Sequence, residues 1–339
     1  MSKVKKSIGV IGQGFVGGSL TTVFAERGFD VLVNDKTGKI APGGMIPTVI
    51  TLSPERLAQL AFGSSSDSGA LVQRQPGEPT AIQGFVGSCE STPGFSGVYF
   101  VCLPTPMYED GEADLSIVER VLNELASVAG ERIAVVKSTI PPGTTERWNK
   151  AFASTGLRIV FNPEFLTEAN ALDDMRNQNR ILLGGPRPHI NAVKLVFKKA
   201  FPNVEIIKTS STTAEMVKYF TNVQLAARVV LSCELEQVCR ALDDRGLDID
   251  YDKVVEYAKR DHRLGGSHMD VPGPDGIPGA RGHCFPKDLN ALMFVAKNVG
   301  VKPTVMEAVW QKNLEVVPLE GRDWERMSGR AVSRKHTTR

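Results

Sequence analysis

Nowhere in the chain do two cysteines stand close enough to form a CxxC pair. The five present, Cys89, Cys102, Cys233, Cys239 and Cys284, are scattered and odd in number. That excludes a disulfide framework and a zinc ribbon and points to a reducing compartment. The histidines are as sparse; His262 and His268 lack a helical metal-ligand spacing and are read as loop residues, so no metal is expected. No apolar run approaches the length of a membrane span. The opening stretch, MSKVKKSIGV, leads straight into a strand pattern without the apolar region of a signal peptide. An excess of one charge is missing too. With 40 Lys+Arg against 38 Asp+Glu the formal net charge is +2, which gives no reason to invoke nucleic acid or a membrane surface. What remains is the composition of an ordinary soluble protein, expected to be cytoplasmic, and 339 residues leave room for two domains.

The most informative stretch comes first. Ile8, Val10 and Ile11 form a short apolar strand that ends at Gly12-Gln13-Gly14-Phe15-Val16-Gly17. An amphipathic pattern follows to Gly28, then a second strand, Val31 to Val33, ending in Asn34-Asp35. A GxGxxG in isolation is weak evidence. Between a strand and a helix, with an acidic residue closing the next strand, it is the fingerprint of a dinucleotide site. Gly12, Gly14 and Gly17 let the backbone approach a pyrophosphate at the helix N-terminus, beside Phe15 and Val16. Asp35 suits the adenosine ribose hydroxyls and would repel a 2′-phosphate, which favours NAD over NADP.

Further strands read at 98–103, 133–137, 157–161, 181–183 and 204–207, with helical patterns at 116–129, 144–153 and 189–200 between them. Such alternation predicts an α/β fold with a mostly parallel sheet of Rossmann type. Residues 37–97, with GSSSDSG and QPGEPT, have the composition of loop or linker and read as an irregular insertion.

The second half differs. Between Pro202 and Gly246 there is neither glycine nor proline. Thr212-Thr213-Ala214-Glu215 fits a capping box, so one helix of ~30 residues is expected, suited to joining two domains or packing against a second copy. Lys218 and Asn222 share a face of it, either as solvated polar residues or as site groups. Glu164 and Glu168 have the same spacing after a strand end and read either as paired acid/base groups or as charges on the first turns of a helix. In GARGHCFPKDLNAL, Cys284 stands just before a helix start marked by Pro286. The helix terminus and Lys287 would favour a thiolate there, while a small buried hydrophobe is the other reading.

Taken together, GVIGQGFVG, LPTPMYEDGEADLS, VVKSTIPPGTT, NPEFLTEANALDDMRNQNRILLGG, AEMVKYFTNVQLAARV, RDHRLG and GHCFPKD resemble the nucleotide-sugar (UDP-glucose/GDP-mannose) dehydrogenase family, in the family's order. The resemblance implies oxidation of a sugar C6 alcohol to a carboxylate with two NAD⁺ in turn, UDP-glucose to UDP-glucuronate being the default. It makes Cys284 the nucleophile that holds the aldehyde as a thiohemiacetal and then a thioester. Lys218 and Asn222 would face the reacting oxygen. Asp288 and Thr139 would hold the catalytic water, with Asp288 also orienting Lys218, and Glu164 would serve as base in thioester hydrolysis. Glu168, Arg263, Lys287 and Gly282 would bind substrate, and Thr105 and Thr139 would join the glycine turn around the cofactor. Two copies would pair through the long helix, 213–243.

The chain also departs from the family pattern. Arg281-Gly282-His283 stands where members commonly have GGS, and no glycine fingerprint follows residue 300. The expected organisation is therefore a short form without the family's C-terminal nucleotide-binding domain. It comprises an NAD-binding domain over 1–208 including the 37–97 insertion, a helical domain over 209–316 carrying the catalytic residues, and a solvated basic tail over 317–339. Two rivals stay open. One is a single-step hydroxyacid or alcohol dehydrogenase, which has no use for Cys284; the other is a non-catalytic module that binds NAD or nucleotide-sugar.

Overall fold

The computed structural model describes residues 7–35, 49–51, 86, 89–90 and 95–333. Among these the chain divides into two compact units. The first holds residues up to Pro104 and Leu115–Met216, the second Thr105–Asp114 and the chain from Val217 onward.

The first unit is a sheet with helices, as the alternation of apolar strands and amphipathic helices requires. Its strands are β1 (Ser7–Ile11), β2 (Asp30–Asn34), β3 (Val49–Thr51), β4 (Phe95–Val101), β5 (Arg132–Val136), β6 (Leu157–Phe161), β7 (Arg180–Gly184) and β8 (Glu205–Thr209). They lie in the order β3-β2-β1-β4-β5-β6-β7-β8. The first six are mutually parallel; β7 meets β6 antiparallel through Phe161 and Gly184, and β8 runs parallel to β7. The order reverses between β1 and β4, and the crevice beyond the strand ends at such a switch point is where open α/β sheets bind ligands.

Helices α1 (Phe15–Glu26), α2 (Ser116–Ser127), α3 (Thr144–Ala151), α4 (Ala171–Arg176) and α5 (Arg187–Ala200) connect the strands. Leu20, Val23 and Phe24 of α1 and Ile190, Val193, Val196 and Phe197 of α5 recur at helical spacing and enter one core with Ile8, Val10, Val31 and Phe100. Phe24 is its centre, with ring centroids 5.1 Å from Phe29, 5.6 Å from Phe100 and 5.7 Å from Phe197 in tilted or edge-on geometry. The 37–97 stretch lies largely outside the described residues, yet what is described of it is not irregular. Val49–Thr51 adds the edge strand β3, and Val86 and Cys89 are buried.

The second unit is helical. Helix α6 (Ser211–Asp243) has 33 residues, about 50 Å at 1.5 Å each, and its first six belong to the first unit. After it come α7 (Tyr251–Ala258), α8 (Phe285–Asn298) and α9 (Thr304–Val316). Ala226 and Val230 of α6 pack with Ala280, Phe285 and Val309, the two alanines letting the chain before α8 lie close to α6.

Two expectations need correction. Glu215 does not close a capping box on Thr212. The Thr213 amide bonds instead to Ser210 Oγ at 3.1 Å, two residues earlier than expected, and the buried Glu215 carboxylate turns to the loop before α3. The segment 317–333 is not a solvated tail either. It forms two short 3-10 turns, buries Trp324 against Met107, Cys233 and Val316, and bridges back to Met107 through Val332. A charged composition hid one large apolar anchor.

Candidate active site

In the first unit the candidate residues follow the C-terminal ends of parallel strands. Gly12 closes β1 with φ +91°, and a Cβ there would lie 2.4 Å from the Cys102 carbonyl oxygen. A Cβ on Gly17 would come within 1.9 Å of the Gly12 oxygen. These two glycines are demanded by backbone packing. Gly14, the N-cap of α1, is different: it is exposed, with nothing within 4 Å of an added Cβ. Gly14, Phe15 and Val16 thus begin α1 at an uncrowded point, and a helix N-terminus favours an anion. Asp35, just past β2, accepts the Gln13 amide at 2.8 Å and so sits at the glycine turn. This arrangement fits a dinucleotide, with pyrophosphate on the α1 amides and ribose hydroxyls at Asp35. Thr105, buried, belongs to the second unit.

Thr139 and Glu164 follow β5 and β6 and are both buried. The spacing of Glu164 and Glu168 does not translate into a shared helical face. Glu164 lies in the loop after β6, where Oε2 accepts the Leu166 amide at 2.7 Å; Glu168 opens a separate 3-10 turn and is exposed.

The end of the neighbouring strand β5 carries a lysine that has no motif of its own in the sequence. Lys137, buried at the end of β5, donates to Asn162 Oδ1 at 2.8 Å, and Asn162 Nδ2 donates to the Leu182 carbonyl at 2.8 Å. The chain of bonds ties β5, the start of the Glu164 loop and β7 together where the sheet reverses direction. Burial pushes the thiol of nearby Cys102 up to about 12, with Lys137 lowering and Glu164 raising it, which disfavours its thiolate.

In the second unit, a polar cluster is closed off from solvent. Lys218 is 3% exposed, Asn222 6%, Lys287 7% and Asp288 1%. Four residues on, one turn of α6 brings Asn222 onto the face of Lys218; α8 supplies the other two. Asn222 Nδ2 donates to Asp288 Oδ2 at 2.5 Å, and its Oδ1 lies 3.4 Å from Lys218 Nζ. Lys287 Nζ donates to Asp288 Oδ1. Asn222 thus links the Asp288 carboxylate to the Lys218 ammonium. An ammonium whose surroundings are buried and bonded is held in one place, as a group that must meet a developing oxyanion needs to be.

Cys284 is the N-cap of α8, its carbonyl accepting the Asp288 amide at 2.9 Å, so the thiol-bearing residue begins the turn that carries Lys287 and Asp288. Gly282 has φ +75° and donates its amide to Asp323 Oδ1 at 3.2 Å. Arg263 is exposed and pairs with both oxygens of Asp261, whose pKa is lowered by the guanidinium hydrogen bonds. Among the described residues no helix is long and apolar enough to cross a membrane.

A glycine turn at the switch point of a parallel sheet, followed by a helical unit with a buried lysine–amide–carboxylate cluster, defines a dinucleotide-binding α/β protein. Comparison with known proteins makes this specific. Residues 83–201 match the NAD binding domain of the UDP-glucose/GDP-mannose dehydrogenase family and residues 212–315 its central domain. The chain belongs to that family. It is 31% identical over 317 residues to the UDP-glucose 6-dehydrogenase TuaD of Bacillus subtilis, covering 91% of this chain and 63% of that one. It is 30% identical to a UDP-glucose 6-dehydrogenase of Rhizobium meliloti, covering 86% of this chain and 63% of the relative. Among solved structures, a UDP-glucose dehydrogenase from the archaeon Pyrobaculum islandicum superimposes with a TM-score of 0.67 at 26% identity, covering 93% of this chain and 69% of that one. The chain thus spans a little under two thirds of the length of the first two relatives.

Proposed function

We propose that the protein is an NAD-dependent nucleotide-sugar 6-dehydrogenase that oxidises the C6 alcohol, with UDP-glucose as first candidate, to the carboxylate in two steps. The observation that carries this reading is the buried Lys218–Asn222–Asp288–Lys287 cluster on the two helices of the second unit, one of which begins at Cys284. Family membership and the fit of the glycine turn to a dinucleotide support the cofactor.

A bound NAD⁺, held at the α1 N-terminus and Asp35, would supply the hydride acceptor for each oxidation. Lys218 and Asn222 stabilise the alkoxide that forms as the C6 hydroxyl loses its proton. The Cys284 sulfur adds to the resulting aldehyde carbon, giving a thiohemiacetal whose oxidation to a thioester releases the second hydride. An aldehyde bound covalently does not escape between the steps. Asp288 and Thr139 hold the water, Glu164 takes its proton, and attack on the thioester carbon expels the Cys284 sulfur and frees the acid. Glu168, Arg263, Lys287 and Gly282 contribute to substrate binding. The organisation proposed is a cofactor-binding first unit and a catalytic helical second unit, paired with a second copy along α6.

The test is NADH formed per sugar consumed, with excess NAD⁺ and limiting UDP- and GDP-sugars. Two per sugar is expected; one per sugar would leave a simple alcohol oxidation. Cys284→Ala should abolish the second NADH, and unaffected turnover in that variant sinks the cysteine mechanism.

A further inference from the structure

The loop that delivers Cys284 is fastened, residue by residue, to the C-terminal elements of the second unit. Two clamps hold it. Asn313 of α9, buried, accepts the Ala280 amide on Oδ1 at 2.7 Å and donates from Nδ2 to the Ala280 carbonyl at 3.0 Å, as a neighbouring strand would. Gly279 beside it has φ +94°, and a Cβ there would lie 2.3 Å from Val317 Cγ2, so the backbone runs directly on the α9 end.

The second clamp is Arg281, whose side chain is 12% exposed. Its guanidinium spends each nitrogen on a different partner. Nε donates to the Gly321 carbonyl at 2.6 Å, Nη1 to Asp275 Oδ2 at 2.7 Å, and Nη2 lies 3.4 Å from Asp323 Oδ2. Asp323 Oδ1 takes the next backbone amide, Gly282, at 3.2 Å. A planar fork with both charge and directed donors fixes a loop in three directions at once. Two of the three residues it grips, Gly321 and Asp323, belong to the turns 319–321 and 323–326, which are themselves anchored by buried Trp324. Two residues separate Arg281 from Cys284.

We propose that Arg281 and Asp323 form a latch that positions Cys284, so that the turns at 319–326 are part of the scaffold of the reactive loop. Arg281 is a positioning residue: it acts on the nucleophile through the backbone. Its consequence for turnover rests on the dehydrogenase reading above; its effect on the thiol does not.

The experiment measures iodoacetamide labelling of Cys284 by peptide mass mapping, with Cys239 on α6 as internal reference, in the full chain and in Arg281→Gln, Asp323→Asn, Asp323→Glu and the double Arg281→Gln/Asp323→Asn variant. Freed of the latch, the loop should open locally, and Cys284 should label roughly five- to tenfold faster while Cys239 and the melting temperature hold. The double variant should add little to either single, because the two residues act as one unit. Asp323→Glu should restore part of the protection, and Asp323→Asn tests the idea alone if Arg281→Gln does not fold. An unchanged Cys284 rate, additive effects, or equal acceleration of Cys239 with a lowered melting temperature would overturn the latch. If NADH is formed, the same variants should lower the yield from two per sugar towards one, as unheld aldehyde escapes. A labelling change in a protein that makes no NADH would uphold the latch and reject the dehydrogenase instead.

Discussion

Glu215 illustrates how one side chain can serve an element far away in sequence. Its two carboxylate oxygens accept the Gly143 amide at 2.6 Å and the Thr145 amide at 2.8 Å, supplying α3 with the N-terminal acceptor that its left-handed N-cap, Gly143, lacks. Burial, the largest influence, nevertheless raises its pKa above the ordinary 4.5. The folded chain therefore holds this proton more tightly than the unfolded one. The stability it contributes is complete below pH 4.5 and is lost as pH rises through the folded value. Glu215→Gln removes that titration and leaves one buried amide facing an amide nitrogen, a cost of about 1–3 kcal/mol. Unfolding free energies measured from pH 4 to pH 8 should show the wild type losing its advantage over the variant as pH rises. Parallel curves would mean that Glu215 does not titrate in this range. The sequence signal here was misleading: Thr-Thr-Ala-Glu is a capping box by pattern, and only the loop after β5 diverts its glutamate.

At the scale of elements, the glycine turn separates two reasons for having glycine. Gly17 is packed against backbone, its absent Cβ 1.9 Å from the Gly12 oxygen, whereas Gly14 has open space and an ordinary φ of −67°. Gly17→Ala should displace the β1–α1 connection, lowering the melting temperature and weakening NAD at least tenfold, roughly 1.4 kcal/mol. Gly14→Ala should leave the melting temperature within about 2 °C, since nothing is displaced. It should still weaken NAD, because the added methyl occupies the approach to the α1 amides. Isothermal titration and thermal melts on both variants check this, and tight NAD binding by Gly14→Ala would move the pyrophosphate elsewhere. Strands such as Leu157–Phe161 were legible because short apolar runs between turn residues have few alternatives. β3 was not: three residues inside a stretch rich in Gly, Ser and Pro carry no period of their own, and pairing with β2 makes them a strand. The meeting of Asn222 with Asp288, 66 residues apart, has no local signature either. The family resemblance brought Asp288 to Lys218, on the same helix as Asn222, and neither it nor the spacing paired Asp288 with Asn222.

For the whole molecule, the long helix raises the question of what covers it. One face of α6 is buried through Ala226, Val230 and Cys233. Along another, Phe220, Leu231, Leu235 and Val238 stand 59%, 57%, 51% and 51% exposed. The last three recur at four and three residues, the spacing of a helix–helix seam, and apolar side chains in such a row mark an interaction surface. The proposed occupant is the same row on a second copy, since a helix about 50 Å long offers a self-complementary strip under twofold symmetry. Sedimentation equilibrium should give twice the chain mass of 36.8 kDa for the wild type. Leu231→Glu with Leu235→Glu puts like charges into the seam and should return it to the chain mass, with NAD affinity unchanged because the glycine turn lies in the other unit. If that variant keeps the doubled mass, the copies pair elsewhere; if the wild type is monomeric at micromolar concentration, the exposed row must be covered by a different chain.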